Sequence, residues 1–300
     1  MMKRFLPVIL ALLTFLLPSA AIAQGRIDCS SIQSRILKRT VHYCVQVPGN
    51  YDKKDVAGQA QRFPVLYYLH GLGDNEQSFS RSGGWTLIED LREHGKIGDF
   101  LIVAPEGGAS FYINSADGHE RYSDFFLREF MPYIEGKYRL VAGREGRAVT
   151  GISMGGYGAL RFGFAYPDLF SAVSAQSAAL IVKTPEELNS MAQSRSPDAA
   201  DFFAALLGDP INPGHWRAND PFQLARKNKV ALKKTAIYFN CGQSDDFGFE
   251  AGAAVLDKQL TGEEIAHEYH SYPGGHNLNY FLSHLAEVME FHSRAFAGAH

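Results

Sequence analysis

The chain has few cysteines, no excess of either charge sign and, past its first residues, no long apolar run. Its 300 residues hold three cysteines, Cys29, Cys44 and Cys241, and no CxxC pair. The paired-thiolate spacing of zinc and redox sites is therefore missing. Lys and Arg number 29 against 32 Asp and Glu, so there is no basic field and nothing that points to nucleic acid as a partner. No repeat, low-complexity block or long linker interrupts the sequence, and 46% hydrophobic content is ordinary for a packed globule.

The apolar run lies at residues 5–17. It follows Lys3 and Arg4 and precedes Ala21-Ile22-Ala23. A basic start, a short apolar stretch and a small-x-small site predict a secretory signal peptide over residues 1–23, too short for a comfortable membrane span. Cleavage would remove two positive charges and leave residues 24–300 as one large α/β domain, secreted or periplasmic, with no stable membrane span. In an oxidising compartment Cys29 and Cys44 are placed to bridge two N-terminal strands, which leaves Cys241 unpaired.

Apolar runs then alternate with helical patterns. Strands are expected at residues 34–37, 40–47, 65–69, 101–104, 148–150, 172–175, 236–240 and 268–272. Helices are expected at 85–94, 122–138 with Pro132 as a kink, 249–260 and 277–296. Runs such as Val65-Leu66-Tyr67-Tyr68-Leu69 show no polar alternation, as expected of strands buried on both faces. The alternation predicts an α/β fold: a mainly parallel, doubly wound sheet with helices on both faces and a ligand site at the strands' carboxyl ends. Residues 179–229 read as an irregular, Pro-containing insertion, with Asp209-Pro210-Ile211-Asn212-Pro213-Gly214 as a loop.

Gly151-Ile152-Ser153-Met154-Gly155 joins an apolar run to a helical one. G-x-S-x-G is the nucleophile-elbow pattern of α/β hydrolases, in which the sharp turn leaves no room for side chains two positions either side of the serine. A serine needs a base. Of 11 histidines, His276 in Tyr272-Pro273-Gly274-Gly275-His276 follows the last strand on a glycine-rich loop. The orienting carboxylate belongs in Asn240-Cys241-Gly242-Gln243-Ser244-Asp245-Asp246, with Asp245 preferred and Asp246 as the alternative. Ser153, Asp245 and His276 then stand in the α/β-hydrolase order. Two backbone N–H groups should form the oxyanion hole. One is expected from Met154 and the other from Leu72, in Leu69-His70-Gly71-Leu72-Gly73-Asp74. His70 itself reads as a structural hydrogen-bonding residue. No metal or other cofactor is assigned: His267-Glu268-Tyr269-His270 is one residue too short for a zincin motif and lies on a strand pattern.

These motifs together resemble the secreted branch of the putative-esterase family, over roughly residues 37–296. That family includes esterase D (S-formylglutathione hydrolase), tributyrin-type, feruloyl and acetylxylan esterases, and mycolyltransferases. The resemblance implies the α/β-hydrolase fold and a Ser153-His276-Asp245 triad with Leu72 and Met154 as the hole. Ser110-Phe111-Tyr112-Ile113-Asn114-Ser115 is similar to the tributyrin-esterase side. Many members carry a tryptophan soon after the histidine, whereas this chain has Asn277-Leu278-Asn279-Tyr280, which weakens any transfer of an aryl-ester preference.

The expected activity is a serine carboxylesterase acting on short-chain acyl esters, either small molecules or carbohydrate-linked. The alternatives are an acyltransferase with an alcohol or sugar acceptor, an S-formylglutathione-type thioesterase, a peptidase with the same triad, and a non-catalytic binding protein on the same fold. Trp85, Phe111, Tyr112 and residues 179–229 are candidates to line the substrate pocket.

Overall fold

The computed structural model describes residues 24–54, 58–192 and 197–298, so the expected leader at residues 1–23 lies outside the described residues. Among those described, the strands are β1 Arg26–Gln33, β2 Thr40–Val47, β3 Val65–Leu69, β4 Leu101–Pro105, β5 Arg147–Gly151, β6 Ala172–Gln176, β7 Ala236–Gly242 and β8 Glu268–Tyr272. They form one 8-stranded sheet in the order β1-β2-β4-β3-β5-β6-β7-β8. β1 and β2 pair antiparallel, as do β2 and β4, and every later pair is parallel. The fold is the α/β-hydrolase fold.

The helices are α1 Ser78–Arg81, α2 Gly84–Glu93, α3 Tyr122–Phe125, α4 Met131–Lys137, α5 Met154–Ala165, α6 Pro185–Ala192, α7 Pro197–Leu207, α8 Pro213–Asn219, α9 Pro221–Leu232, α10 Phe249–Gly262, α11 Leu278–Ser283 and α12 Leu285–Gly298. Successive side chains of a strand point to opposite faces, and β3 feeds two separate cores. Val65, Tyr67 and Leu69 pack with Phe125, Ile134, Leu160, Leu224 and Leu256 of α3, α4, α5, α9 and α10. Leu66 and Tyr68 pack with Ile88, Leu91, Val288 and Met289 of α2 and α12. Helices on both faces explain why β3, β4 and β6 are buried along their whole length.

Several expectations are corrected. The first strand is residues 26–33, not 34–37. Ser34 Oγ accepts the N–H of Leu37 at 2.9 Å and Glu129 takes the N–H groups of Arg35 and Ile36. That local capture closes a turn, with Lys38 at φ +54°, where a strand was read. β1 itself is a polar, largely exposed edge strand. It is fixed by the Cys29–Cys44 disulfide between cross-strand partners 15 residues apart in sequence. A covalent loop of that length stabilises by about 3 kcal/mol in the chain-entropy account.

The irregularity expected at Pro132 is a π turn over Phe126–Phe130, in which the Met131 N–H reaches back to the Phe126 carbonyl. The helix expected over 277–296 is two helices, α11 and α12, that meet at His284. Residues 179–229 are largely helical. Pro185, Pro197, Pro213 and Pro221 stand at helix starts, where Asn212 and Asp220 cap α8 and α9 with their side chains, while Pro210 lies in the turn between α7 and α8, where a loop is expected.

Candidate active site

Ser153 stands between β5 and α5 with φ +54° and ψ −118°, a strained backbone for a residue with a side chain. The flanking glycines are sterically required. A Cβ on Gly151 would lie 2.3 Å from the Gly155 carbonyl group, and one on Gly155 would lie 2.0 Å from the Leu69 oxygen. The Ser153 carbonyl accepts the N–H groups of Tyr157 at 3.0 Å and Ala179 at 3.1 Å. The serine thus sits at the N-terminus of α5, where the helix dipole favours developing negative charge.

The loop after β3 runs against this serine. A Cβ on Gly71 would be 3.7 Å from Ser153 Cβ. Among the described residues, neither the Leu72 nor the Met154 N–H donates to a backbone acceptor. The Leu72 side chain is exposed, whereas Met154 is buried.

Asp245 and His276 come together in the loops after β7 and β8. His276 Nδ1 lies 2.7 Å from Asp245 Oδ2. A carboxylate only accepts, so Nδ1 carries the proton and Nε2 of the neutral ring keeps its lone pair. Asp245 Oδ1 takes the N–H groups of Phe247 and Phe249. Burial would raise this carboxyl, but the hydrogen bond from His276 and those two N–H groups outweigh it and hold Asp245 below the usual carboxylate range. Cys241, buried and unpaired, points its thiol at Asp245 Oδ2 from 3.7 Å. Burial pushes that thiol up to about 12, so it stays a neutral donor. Phe247, Phe249 and Phe281 meet the imidazole edge-on. Asp246 does not touch the ring; its carboxylate accepts the backbone N–H of His276 at 3.0 Å. Among the described residues, His276 makes no hydrogen bond to the Ser153 hydroxyl. It borders a cavity that Ile152, the neighbour of Ser153, also lines.

Residues 34–292 match the model of the family described as "Putative esterase". The chain belongs to that family. It is 30% identical over 241 residues to an esterase of Mycobacterium tuberculosis, which covers 74% of this chain and 50% of the relative. The chain therefore spans about half the length of that relative. An acetyl esterase of Caldicellulosiruptor saccharolyticus is 26% identical over 257 residues, covering 83% and 90% of the two chains. Among solved structures, a ferulic acid esterase superposes with a TM-score of 0.77 at 25% identity, over 91% of this chain and 99% of the other.

In this esterase-family chain two cavities flank the elbow. One is apolar, lined by Phe111, Ile113, Tyr157, Ala179, Leu206 and Trp216 among others. Its walls come largely from the helical insertion, and Trp216, Phe203, Leu206 and Leu207 had no motif to single them out. The other carries His276 together with Asp74, Ser78, Ser82, Gln176 and Asn277. Trp85 is in neither: its ring packs on Gly25, next to the start of β1. Tyr112 is fully buried rather than pocket-lining. Its ring is wedged against Gly107 and Gly158, and its hydroxyl donates to the His70 carbonyl at 3.0 Å.

His70 pins the loop after β3. Its Nδ1 lies 2.8 Å from the Gly71 carbonyl, and its Nε2 accepts the Gly107 N–H at 2.8 Å. Burial lowers its pKa and keeps the ring neutral. Replacing His70 with alanine frees Gly71 and Leu72, and the expected loss in kcat is about 10²-fold. Initial rates on a soluble p-nitrophenyl ester measure it, and an unchanged kcat would remove His70 from any role in shaping the loop. The folded pKa is depressed, so the stability His70 contributes is present above its unfolded value of about 6.5 and is lost as pH falls through the folded value.

Proposed function

We propose that this chain hydrolyses carboxylic esters through a covalent acyl-enzyme, with Ser153 as nucleophile, His276 as general base and acid, and Asp245 as the orienting carboxylate. The observation that carries this reading is the 2.7 Å Nδ1···Oδ2 contact. It leaves Nε2 as the base on a loop bordering the cavity beside the strained serine. His276 Nε2 takes the Ser153 proton as Oγ attacks the ester carbonyl carbon. The Leu72 and Met154 N–H groups hold the oxyanion, and each such donor contributes about 3 kcal/mol to the transition state. The imidazolium returns the proton to the leaving alkoxide, and the alcohol departs. Water, deprotonated by the same nitrogen, attacks the acyl carbon; the acid leaves and Ser153 recovers its proton. General-base hydrogen bonds often tighten only when substrate is bound.

The imidazole must protonate the leaving oxygen, so the alcohol belongs in the cavity His276 lines. Its lining sets Asp74, Ser78, Ser82, Gln176 and Asn277 beside apolar Phe79, Phe281, Leu282 and Leu285, which suits an alcohol with both hydroxyls and an apolar face, as a sugar ring has. The acyl group belongs in the apolar pocket, whose Tyr157 and Ala179 hold the Ser153 carbonyl. The names of the relatives, acetyl esterase and ferulic acid esterase, agree with esters of this kind. Export to an oxidising compartment is part of the reading and is supported by the β1–β2 disulfide.

Hydrolysis of p-nitrophenyl esters from acetate to longer and aromatic acyl groups, with and without glycerol or a sugar acceptor, tests it. Turnover of these esters to free acid is expected, with kcat/KM depending on acyl size. No turnover of any ester would sink the assignment. Acyl transfer to glycerol in preference to water would replace hydrolase with transferase.

A further inference from the structure

The sequence offers two consecutive aspartates after β7, and the structure uses both on one histidine. Asp245 takes the ring, while Asp246 Oδ2 takes the main-chain N–H of the same residue at 3.0 Å. Gly274 (φ +140°) and Gly275 precede His276, and glycine leaves the backbone many alternatives, so contacts from the loop after β7 decide where this segment lies.

The two loops are joined like the end of a zip. β7 and β8 pair in parallel up to Gly242 and Tyr272. Beyond the strands the Gln243 N–H donates to the Tyr272 carbonyl at 2.8 Å, and the Ser244 N–H donates to the Gly274 carbonyl at 2.9 Å. The Asp246 carboxylate is the next link and falls on His276 itself. The approach is close: a Cβ on Gly275 would lie 3.2 Å from Asp246 Oδ2 and 3.2 Å from the Ser244 oxygen. A carboxylate accepting a backbone N–H is a charge-assisted bond, stronger than a neutral one.

We propose that Asp246 is a positioning residue: by holding the His276 backbone it fixes where the imidazole stands over the serine elbow, while Asp245 fixes only the ring's rotation and tautomer. The inference rests on His276 being the general base. Either hold alone is incomplete. A ring bond to Asp245 leaves the loop free to carry the imidazole sideways, and a backbone bond to Asp246 leaves the ring free to turn.

The test compares D246A and D246N with wild type and S153A on p-nitrophenyl acetate, reading kcat and KM separately and melting temperature alongside. D246A removes the acceptor and should lower kcat about 10- to 10²-fold, with KM within about twofold. D246N keeps an amide oxygen in the acceptor position and should recover most of that loss. A merely structural role would instead lower the melting temperature and leave kcat per folded molecule intact, and that result overturns the proposal. So does a D246A kcat within twofold of wild type, or a D246N as impaired as D246A, since the effect would then be charge rather than anchorage. Failure of the underlying reading looks different: S153A would retain wild-type turnover, or wild type would show none.

Discussion

Replacing Ser153 with alanine is expected to lower kcat by about 10⁵- to 10⁶-fold while the protein stays folded. The magnitude follows from what the hydroxyl alone supplies. On the proposed mechanism no acyl-enzyme forms without Oγ, and His276 and the proposed oxyanion donors are left to assist water directly, a residual effect of about 10³- to 10⁴-fold over the uncatalysed reaction. The fold should tolerate the change because the strain at Ser153 lies in its backbone, at φ +54°. Alanine carries the same Cβ into that conformation, and among the described residues the Ser153 hydroxyl takes part in no hydrogen bond that holds the elbow; the bonds there are backbone ones to Gln176, Tyr157 and Ala179. Burst and steady-state kinetics on a p-nitrophenyl ester, with a melting curve, measure both parts. Retention of more than about a hundredth of wild-type kcat would remove Ser153 as the nucleophile.

The elbow was legible in the sequence because its constraint is steric and local. Only glycine fits where a Cβ would sit 2.0 Å from the Leu69 oxygen, as at Gly155, so the pattern is written directly in residue types. The buried strands β3 and β4 were legible for a similar reason: they are covered on both sides and show unbroken apolar runs, whereas buried β6 carries Ser174, whose hydroxyl is bonded to Thr150 and His292. β1 escaped because its stability comes from outside itself, from pairing with β2 and the Cys29–Cys44 bond, and its own residues are mostly polar and exposed. The insertion escaped because Pro185, Pro213 and Pro221 mark helix starts as readily as loops, and only the caps at Asn212 and Asp220 distinguish the two. The apolar pocket was legible as a region and not residue by residue: Phe111 and residues 179–229 were candidates and line it, but no motif marks Trp216, Leu206 or Leu207 within that segment. The preference for Asp245 agrees with its contact to the His276 ring, but the hold of Asp246 on the His276 backbone was not legible. Neighbours in a loop differ only in direction, and direction here is set by the Phe247 and Phe249 N–H groups that turn Asp245 inward.

That split sets the second large expectation. Asp245→Asn should lower kcat about 10⁴-fold, far more than any change at Asp246. The amide can present an N–H to His276 Nδ1, which drives the imidazole into the wrong tautomer with its proton on Nε2, facing the serine. It also removes the charge that stabilises the imidazolium. Asp245 is buried, and its carboxylate gathers donors from His276, Phe247, Phe249 and Cys241; the asparagine satisfies fewer of them, so a loss of stability should accompany the loss of rate. The sign with pH follows from the depressed carboxyl. The wild-type group contributes stability above its unfolded pKa of about 3.9, and that contribution fades as pH falls through the lower folded value. The wild-type advantage in melting temperature over D245N should therefore be full near neutrality and shrink at acid pH. A D245N enzyme within tenfold of wild type, paired with a D246N enzyme that has lost the activity, would transfer the triad acid to Asp246 in spite of its position on the backbone.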